Sequence, residues 1–239
     1  MFVELKYTPT LEDLNGNGKY ELYSIFKMLE NAGSQHSDKA NDNVIQSTNN
    51  GKAWVLTDWF AELDSYPKEK DNVKIITWSE PKNQVFIVGR DYEIYSNDKI
   101  CGKATSRWVI LDVNTGRPLK IEDSLISQYE PEDKYVFSEI KLPRIAIPEA
   151  YSAQKEIQLR RTDIDYNGHV HNLNYINFAM EVLPEDVYKN REFKHIHMTY
   201  RLAVLPEEKI TAKYAFVEGK HLVNIFNGKD ELTTQIEFY

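Results

Sequence analysis

The part of the sequence best equipped for chemistry is a polar run from residue 161 to residue 172. It reads Arg-Thr-Asp-Ile-Asp-Tyr-Asn-Gly-His-Val-His-Asn. Asp165 and His169 can take up or release a proton, and the amide of Asn167 can donate or accept a hydrogen bond. A helical pattern follows the run, and the unpaired N–H groups at the start of a helix suit an oxyanion. A carbonyl group held there could meet a water molecule activated beside it.

A structural interpretation of the same run has to be weighed against this one. Asp and Asn before a helix often serve as caps and turn formers, and Gly168 could be present only to permit a positive φ. The first half of the chain carries a comparable Asn17-Gly18 pair, but Lys19 follows it where His169 follows in the second half. The turn can therefore be built without histidine, which favours a chemical role for His169.

These two segments sit in two divergent copies of one unit. Each copy opens with an alternating strand pattern, at Val3, Leu5 and Tyr7 and at Ile157, Leu159 and Arg161. An Asp-x-x-x-Asn-Gly segment follows in each, at Asp13–Gly18 and Asp163–Gly168. A helical stripe comes next, formed by Leu22, Ile25, Phe26, Leu29 and Ala32 in the first copy and by Leu173, Ile176, Met180 and Leu183 in the second.

After the helix, both copies become rich in β-strand patterns. The predicted strands cover 54–66, 73–78, 85–95 and 100–112 in the first copy and 195–205, 210–217, 222–226 and 232–239 in the second. The order of strand, turn, helix and sheet predicts an α+β fold in which each sheet wraps a central helix. We expect units at 1–115 and 150–239, joined by an ordered linker at 116–149 that is rich in proline and has no sustained period.

The motif Asp163-x-Asp165-x-Asn167-x-His169-Val170-x-Asn172-x-x-Tyr175 resembles the signature of plant and bacterial acyl-acyl-carrier-protein (acyl-ACP) thioesterases. The resemblance extends over nearly the whole chain and includes Trp108–Asp112 and the Tyr200-Arg201 pair. It implies a tandem (double) hot-dog fold and hydrolysis of fatty acyl thioesters on acyl carrier protein, without a cofactor. It also implies a first unit for packing and acyl binding and a catalytic second unit.

The resemblance places the catalytic residues of the family on Asp165, Asn167 and His169, and substrate contacts on Gly168, Asn172 and Tyr175. The chain departs from plant members at two places. It has His171-Asn172 where they commonly have two asparagines, and Ala203 and Val204 where they have a Glu-Cys pair. A glutamate base therefore has no counterpart here. Cys101 lies in the first copy, so a cysteine nucleophile is unsupported, and direct attack by water is favoured.

Composition limits the other classes of function. The chain has 239 residues and a net charge of -8, without a Lys/Arg run, which argues against nucleic acid and anionic membranes as partners. One cysteine, no secretion signal and no long apolar run favour a cytoplasmic protein. Two His-x-His pairs, at His169/His171 and His195/His197, could chelate a metal, but we interpret them as structural, so no metal is expected.

Several alternatives stay open at this point. The same fold could serve an acyl-CoA thioesterase, a hot-dog hydratase or an acyl-binding protein without activity, and the chain could be a monomer or a homodimer. Acyl carrier proteins are acidic, so docking to this acidic chain requires a local basic patch. The candidates for that patch in the second unit are Lys189, Arg191, Lys194, Arg201, Lys209 and Lys213.

Overall fold

The protein forms two compact units, Met1–Lys141 and Leu142–Tyr239. The structure, a computed structural model, describes residues 1–43, 45, 48, 50–138 and 142–239. The division after residue 141 places most of the expected linker with the first unit. That stretch also contains regular elements, a short strand and a short helix, which the sequence pattern had not indicated.

In the first unit, a five-stranded antiparallel sheet packs against a long helix. The sheet has the order β1-β3-β4-β5-β2, and β6 pairs with β5. The predicted stripe of α1 is buried, and its Phe26 ring meets Trp59 of β2 edge-on at 5.4 Å. The elements are β1 (Val3–Tyr7), a 3-10 helix (Leu11–Asp13), α1 (Leu22–Lys39), β2 (Lys52–Leu63), β3 (Val73–Ser79), β4 (Val88–Ser96), β5 (Lys99–Asp112), β6 (Pro118–Leu119) and α2 (Asp123–Gln128).

In the second unit, the sheet repeats this arrangement in the order β7-β9-β10-β11-β8, again antiparallel. These five strands correspond in order to β1–β5 of the first unit, and β6 has no counterpart among the described strands of the second. This arrangement confirms the predicted α+β repeat. The elements are β7 (Ala153–Ile157), a 3-10 helix (Arg161–Asp163), α3 (Asn174–Met180), α4 (Glu185–Lys189), β8 (His195–Tyr200), β9 (Ile210–Val217), β10 (Lys220–Asn227) and β11 (Leu232–Phe238).

Three predicted elements of the second unit end several residues earlier than their patterns suggested. The strand predicted at 195–205 stops at Tyr200. The helix predicted through Leu183 stops at Met180, and a separate α4 begins after Pro184, which has no N–H to continue a helix. The strand predicted through Arg161 stops at Ile157. Just beyond it, the carboxylate of Asp163 accepts the backbone N–H of Arg160 at 2.7 Å, which bends the chain into the 3-10 helix.

Residues 131–138, which we call the strap, cross the first sheet on the face opposite α1. The indole N–H of Trp78 donates to the backbone oxygen of Lys134 at 2.7 Å, and the backbone N–H of Val136 donates to Asp91 at 3.0 Å. Arg90 of β4 contacts His36 of α1 at 2.5 Å. Because side chains alternate along a strand, Asp91 points to the opposite face, under the strap.

A charged group lies buried beneath the strap. Glu80 pairs with Arg107 at 2.7 Å, and burial together with the nearby Glu80 charge raises the pKa of Asp91 to about 7. Gly89 makes room for this group, since a Cβ there would lie 2.2 Å from the Glu80 carboxyl carbon. The strap is therefore held to the first sheet through a buried carboxyl group.

Candidate active site

The polar run forms a tight loop between the 3-10 helix and α3 of the second unit. Ile164 and Val170 pair as an isolated antiparallel bridge and close the loop. Inside it, the Asp165 N–H donates to the His169 oxygen at 2.8 Å, and the Gly168 N–H donates to the Asp165 oxygen at 3.0 Å. Gly168 has φ 77°, and a Cβ added to it would meet no atom within 4 Å, so glycine is needed there for its backbone conformation.

The first unit contains the same loop. Leu14 and Tyr20 form the matching bridge, and Gly18 has φ 70°. The side-chain oxygen of Asn15 accepts the N–H groups of Asn17 at 2.9 Å and Lys19 at 3.1 Å. The fold of this loop therefore requires neither a carboxylate nor a histidine.

In the second unit, Asp165 holds the loop in the same way with a carboxylate. Its Oδ1 accepts the N–H groups of Asn167 at 2.8 Å and His169 at 3.2 Å. Among the described residues, no hydrogen-bond donor reaches its Oδ2, and neither the Asn167 amide nor the His169 ring has a hydrogen-bond partner. Asn167 is exposed and His169 half-buried. The loop thus brings the three predicted catalytic side chains together with polar atoms available to a substrate.

The start of α3 offers one open backbone donor. Along 167–176, every backbone N–H except that of Asn172 donates to a described atom. The carbonyl of Asn172 is engaged, because it accepts the Tyr200 hydroxyl at 3.1 Å. An oxyanion at this helix start would therefore meet the N–H of Asn172, which follows the catalytic loop closely in the chain.

Tyr175, which the family motif assigns to substrate contact, lies below the loop. It is 2% exposed and packs against Tyr200, with ring centroids 5.8 Å apart. Burial raises the pKa of its phenol, and the charges of Glu208 and Asp165 raise it further. Glu208 is thus a second carboxylate near the loop. No motif spacing connects this residue of the loop before β9 to residues 163–175, so the sequence pattern does not predict its place here.

The arginine that pairs with Asp163 is Arg160, the first of two consecutive arginines before it. Asp163 is 1% exposed and pairs with the guanidinium of Arg160 at 2.8 Å, whereas Arg161 is exposed. The backbone oxygen of Asp163 accepts the N–H of His171 and the amide of Asn174. Asp163 therefore joins the 3-10 helix to the start of α3, and Arg161 is not its partner.

The other candidate groups are not members of this loop. Cys101 is buried in the first unit, and burial with the nearby Asp71 and Asp64 charges raises the pKa of its thiol to about 12, so it is a poor nucleophile. Ala203 is exposed in the loop after β8. Within the part of the chain that the structure describes, no cluster of three His, Cys, Asp or Glu side chains could hold a metal, and no helix is long and apolar enough to cross a membrane.

The six basic residues expected to form a docking patch do not lie together. Lys194 precedes β8 and Arg201 follows it, so the strand separates them by roughly 20 Å. Several of the lysines already contact carboxylates: Lys189 with Glu185 at 3.2 Å, Lys209 with Glu156 at 3.8 Å and Lys213 with Asp230 at 3.0 Å. Any single docking surface can include only part of this set.

Comparison with solved structures shows the fold. An acyl-ACP thioesterase from Bacteroides thetaiotaomicron superposes with a TM-score of 0.87 at 19% identity, covering 99% of this chain and 96% of the other. The 12:0-ACP thioesterase from Umbellularia californica gives 0.89 at 15% identity, with the same coverage. The predicted tandem hot-dog fold is confirmed.

Comparison of sequences shows the family. The oleoyl-ACP thioesterase 2 of Arabidopsis thaliana, a chloroplastic protein, is 27% identical over 193 residues, which cover 76% of this chain and 52% of that protein. The chain thus spans about half the length of this relative. Residues 3–129 match the acyl-ACP thioesterase N-terminal domain, and residues 148–238 match the C-terminal domain of the same family. The chain therefore belongs to the acyl-ACP thioesterase family.

Proposed function

We propose that this protein hydrolyses the thioester between a fatty acyl chain and acyl carrier protein, releasing a free fatty acid. Its family supports this function, and so do relatives named oleoyl- and palmitoyl-acyl carrier protein thioesterases. The observation that carries the proposal is the comparison of the two loops. They have one backbone design, but only the second unit combines a carboxylate at 165 with a histidine at 169.

The reaction follows from this arrangement. The thioester carbonyl lies at the start of α3, where the Asn172 N–H stabilises the negative charge that develops on oxygen. Losing one donor of this kind typically slows a reaction by about 10² to 10³. His169 or Asp165 takes a proton from water, a role that contributes roughly 10² to 10⁴. Asn167 orients the water or the carbonyl while the water oxygen bonds to the carbonyl carbon. The C–S bond then breaks, and the carrier thiol leaves with the proton that the base took from water.

The proposal also assigns a role to the first unit, a location and a partner. The first unit, with Lys19 in place of the histidine, serves packing and acyl binding. The enzyme acts in the cytoplasm, without a cofactor or metal, as a monomer or homodimer. Its partner is acyl carrier protein that carries the acyl chain on phosphopantetheine.

Release of free thiol from a panel of substrates tests the function. The panel contains acyl-ACP, acyl-CoA and acyl-pantetheine of matched chain length, together with an enoyl thioester. We expect thiol release with the highest kcat/KM on acyl-ACP. A higher kcat/KM on acyl-CoA would assign the alternative thioesterase, and loss of the enoyl absorbance without thiol release would assign a hydratase. Binding without either reaction would leave an acyl-binding protein.

A further inference from the structure

His171 contacts the first turn of α3 through its side chain. Its Nδ1 accepts the backbone N–H of Leu173 at 3.3 Å, and its backbone oxygen accepts the N–H of Asn174 at 2.9 Å. It follows the catalytic loop directly and precedes Asn172, the residue with the open N–H. We propose that His171 is a positioning residue that fixes the helix start so that the Asn172 N–H faces the substrate carbonyl. This inference rests on the proposed function.

The first unit has a glutamate at the equivalent position. The N–H of this residue, Glu21, donates to the oxygen of Asp13 at 2.8 Å, as that of His171 donates to Asp163 at 2.8 Å. The next turn differs between the units: the Ile25 N–H donates to the Glu21 oxygen and α1 begins at Leu22, whereas the Asn174 N–H donates to the His171 oxygen and α3 begins only at Asn174. The His171 contact therefore accompanies a helix start that differs from that of the first unit, in the unit to which we assign the chemistry.

The contact depends on the protonation state of the ring. Nδ1 accepts the Leu173 N–H only while it carries no proton, and histidine side chains ordinarily titrate near pH 6.5. Protonation would turn the acceptor into a donor and place a positive charge at a helix N-terminus, where it is unfavourable. The start of α3 would then lose this contact. The Asn172 N–H would no longer be held in one direction.

The other titratable and charged groups near this turn bear on the test. His169 is the most relevant, because as a base it too must be unprotonated. The groups around the turn are Arg160 and Asp163 on the 3-10 helix, Asp165 and His169 on the loop, Tyr175 on α3, Tyr200 on β8 and Glu208 before β9. A variant that removes only the His171 titration separates its contribution from theirs.

His171→Asn is that variant, since its amide oxygen remains an acceptor and does not titrate. We expect it to keep kcat within about threefold of wild type at pH 8, where one neutral hydrogen bond is replaced by another. His171→Ala has no acceptor and should lose about fivefold in kcat, with KM less affected. In the plot of log kcat against pH, the acidic limb of wild type should be steeper than that of His171→Asn over the range in which His171 takes up its proton, and should end about fivefold lower, because protonation removes the same acceptor that His171→Ala removes.

His195→Asn provides the matched control. His195 stacks on Tyr239 with centroids 4.4 Å apart, at the end of β8 away from Tyr200 and the loop. His195→Asn should show the same acidic limb as wild type in the plot of log kcat against pH. An acidic limb of wild-type slope in His171→Asn, or full activity of His171→Ala, would overturn the proposal.

A second measurement does not depend on turnover. In wild type, the NMR shift of the Leu173 amide proton should follow the titration of the His171 ring, and in His171→Asn it should not. If wild type shows this coupling but hydrolyses no acyl thioester, the positioning contact stands and the proposed function fails. A Leu173 amide that ignores the His171 titration would overturn the contact itself.

Discussion

Replacing Asp165 with asparagine tests whether its carboxylate does more than shape the loop. Asn15 of the first unit forms the same two hydrogen bonds with an amide oxygen, at 2.9 and 3.1 Å, as Asp165 forms at 2.8 and 3.2 Å. Asp165→Asn should therefore keep the loop while removing the charge and the proton acceptor. The first unit provides the structural precedent for this substitution.

The two hydrogen bonds accepted by the Asp165 side chain determine how much each substitution should change the free energy of unfolding. Asp165→Ala removes both, and at about 1 kcal/mol each the free energy of unfolding should fall by about 2 kcal/mol. For a chain of this size, that lowers Tm by roughly 4 to 8 °C. Asp165→Asn should cost less than about 1 kcal/mol, yet lower kcat by about 10² or more if the carboxylate acts on water. Asn15→Ala should lose about 2 kcal/mol of stability with little change in kcat.

Thermal unfolding and thiol-release kinetics on wild type and these three variants decide the matter. If Asp165→Asn keeps both Tm and kcat, the carboxylate only forms the turn, and His169 is left as the base. If it lowers Tm as far as Asp165→Ala, the equivalence of the two loops is wrong. The first result would refute the catalytic role of the carboxylate, and the second would refute the structural reasoning from Asn15.

Four further results are expected. His169→Ala should lower kcat at least about 10²-fold with little change in Tm, whereas Lys19→Ala should matter far less; comparable losses in turnover would contradict the division of roles between the units. Gly168→Ala and Gly18→Ala should each cost about 1 kcal/mol in denaturant unfolding, because both have positive φ and open space around the new Cβ, and unequal costs would show that the loops differ. Activity should survive dialysis against EDTA, and its loss with recovery on zinc would favour a metallohydrolase. The pKa of Asp91 is raised from 3.8 to about 7, so its contribution to stability is present below pH 4 and is lost as pH rises through 7; Asp91→Asn should flatten this dependence in unfolding measured from pH 4 to 8.

Local sequence patterns predicted the elements whose signals are local. The stripe from Leu22 to Ala32 defined the buried face of α1, and β9 occupies Ile210–Val217 as its alternation indicated. The hairpin between β4 and β5 turns at Asn97 and Asp98, with φ 49° and 62°, which are residues that tolerate this conformation. The polar run was likewise found as one loop, because its members are close in sequence.

Local patterns did not predict the features that depend on contacts between distant parts of the chain. The charge of Glu208 acts on Tyr175 although 32 residues separate them, because the loop before β9 contacts the catalytic loop, where the Val204 oxygen accepts the Val170 N–H. The hydrogen bond from the Leu173 N–H to His171 Nδ1 depends on the orientation of the imidazole ring, which the sequence pattern does not predict. The pairing of Asp163 with Arg160, and not with Arg161, follows from the bend at the end of β7. In each case a three-dimensional contact, and not a pattern, decides the function of the residue.

The strap has a consequence for self-association. Sheets with an open apolar face commonly bury it against a second copy of the same chain. In the first unit, Phe137 of the strap meets Phe60 of β2 with centroids 4.9 Å apart, and Lys134 lies 4.4 Å from the centre of the Trp78 ring. This face already has its own chain as a cover. A second copy that stacked on the part of the face under the strap would first have to lift the strap and expose Asp91 to water.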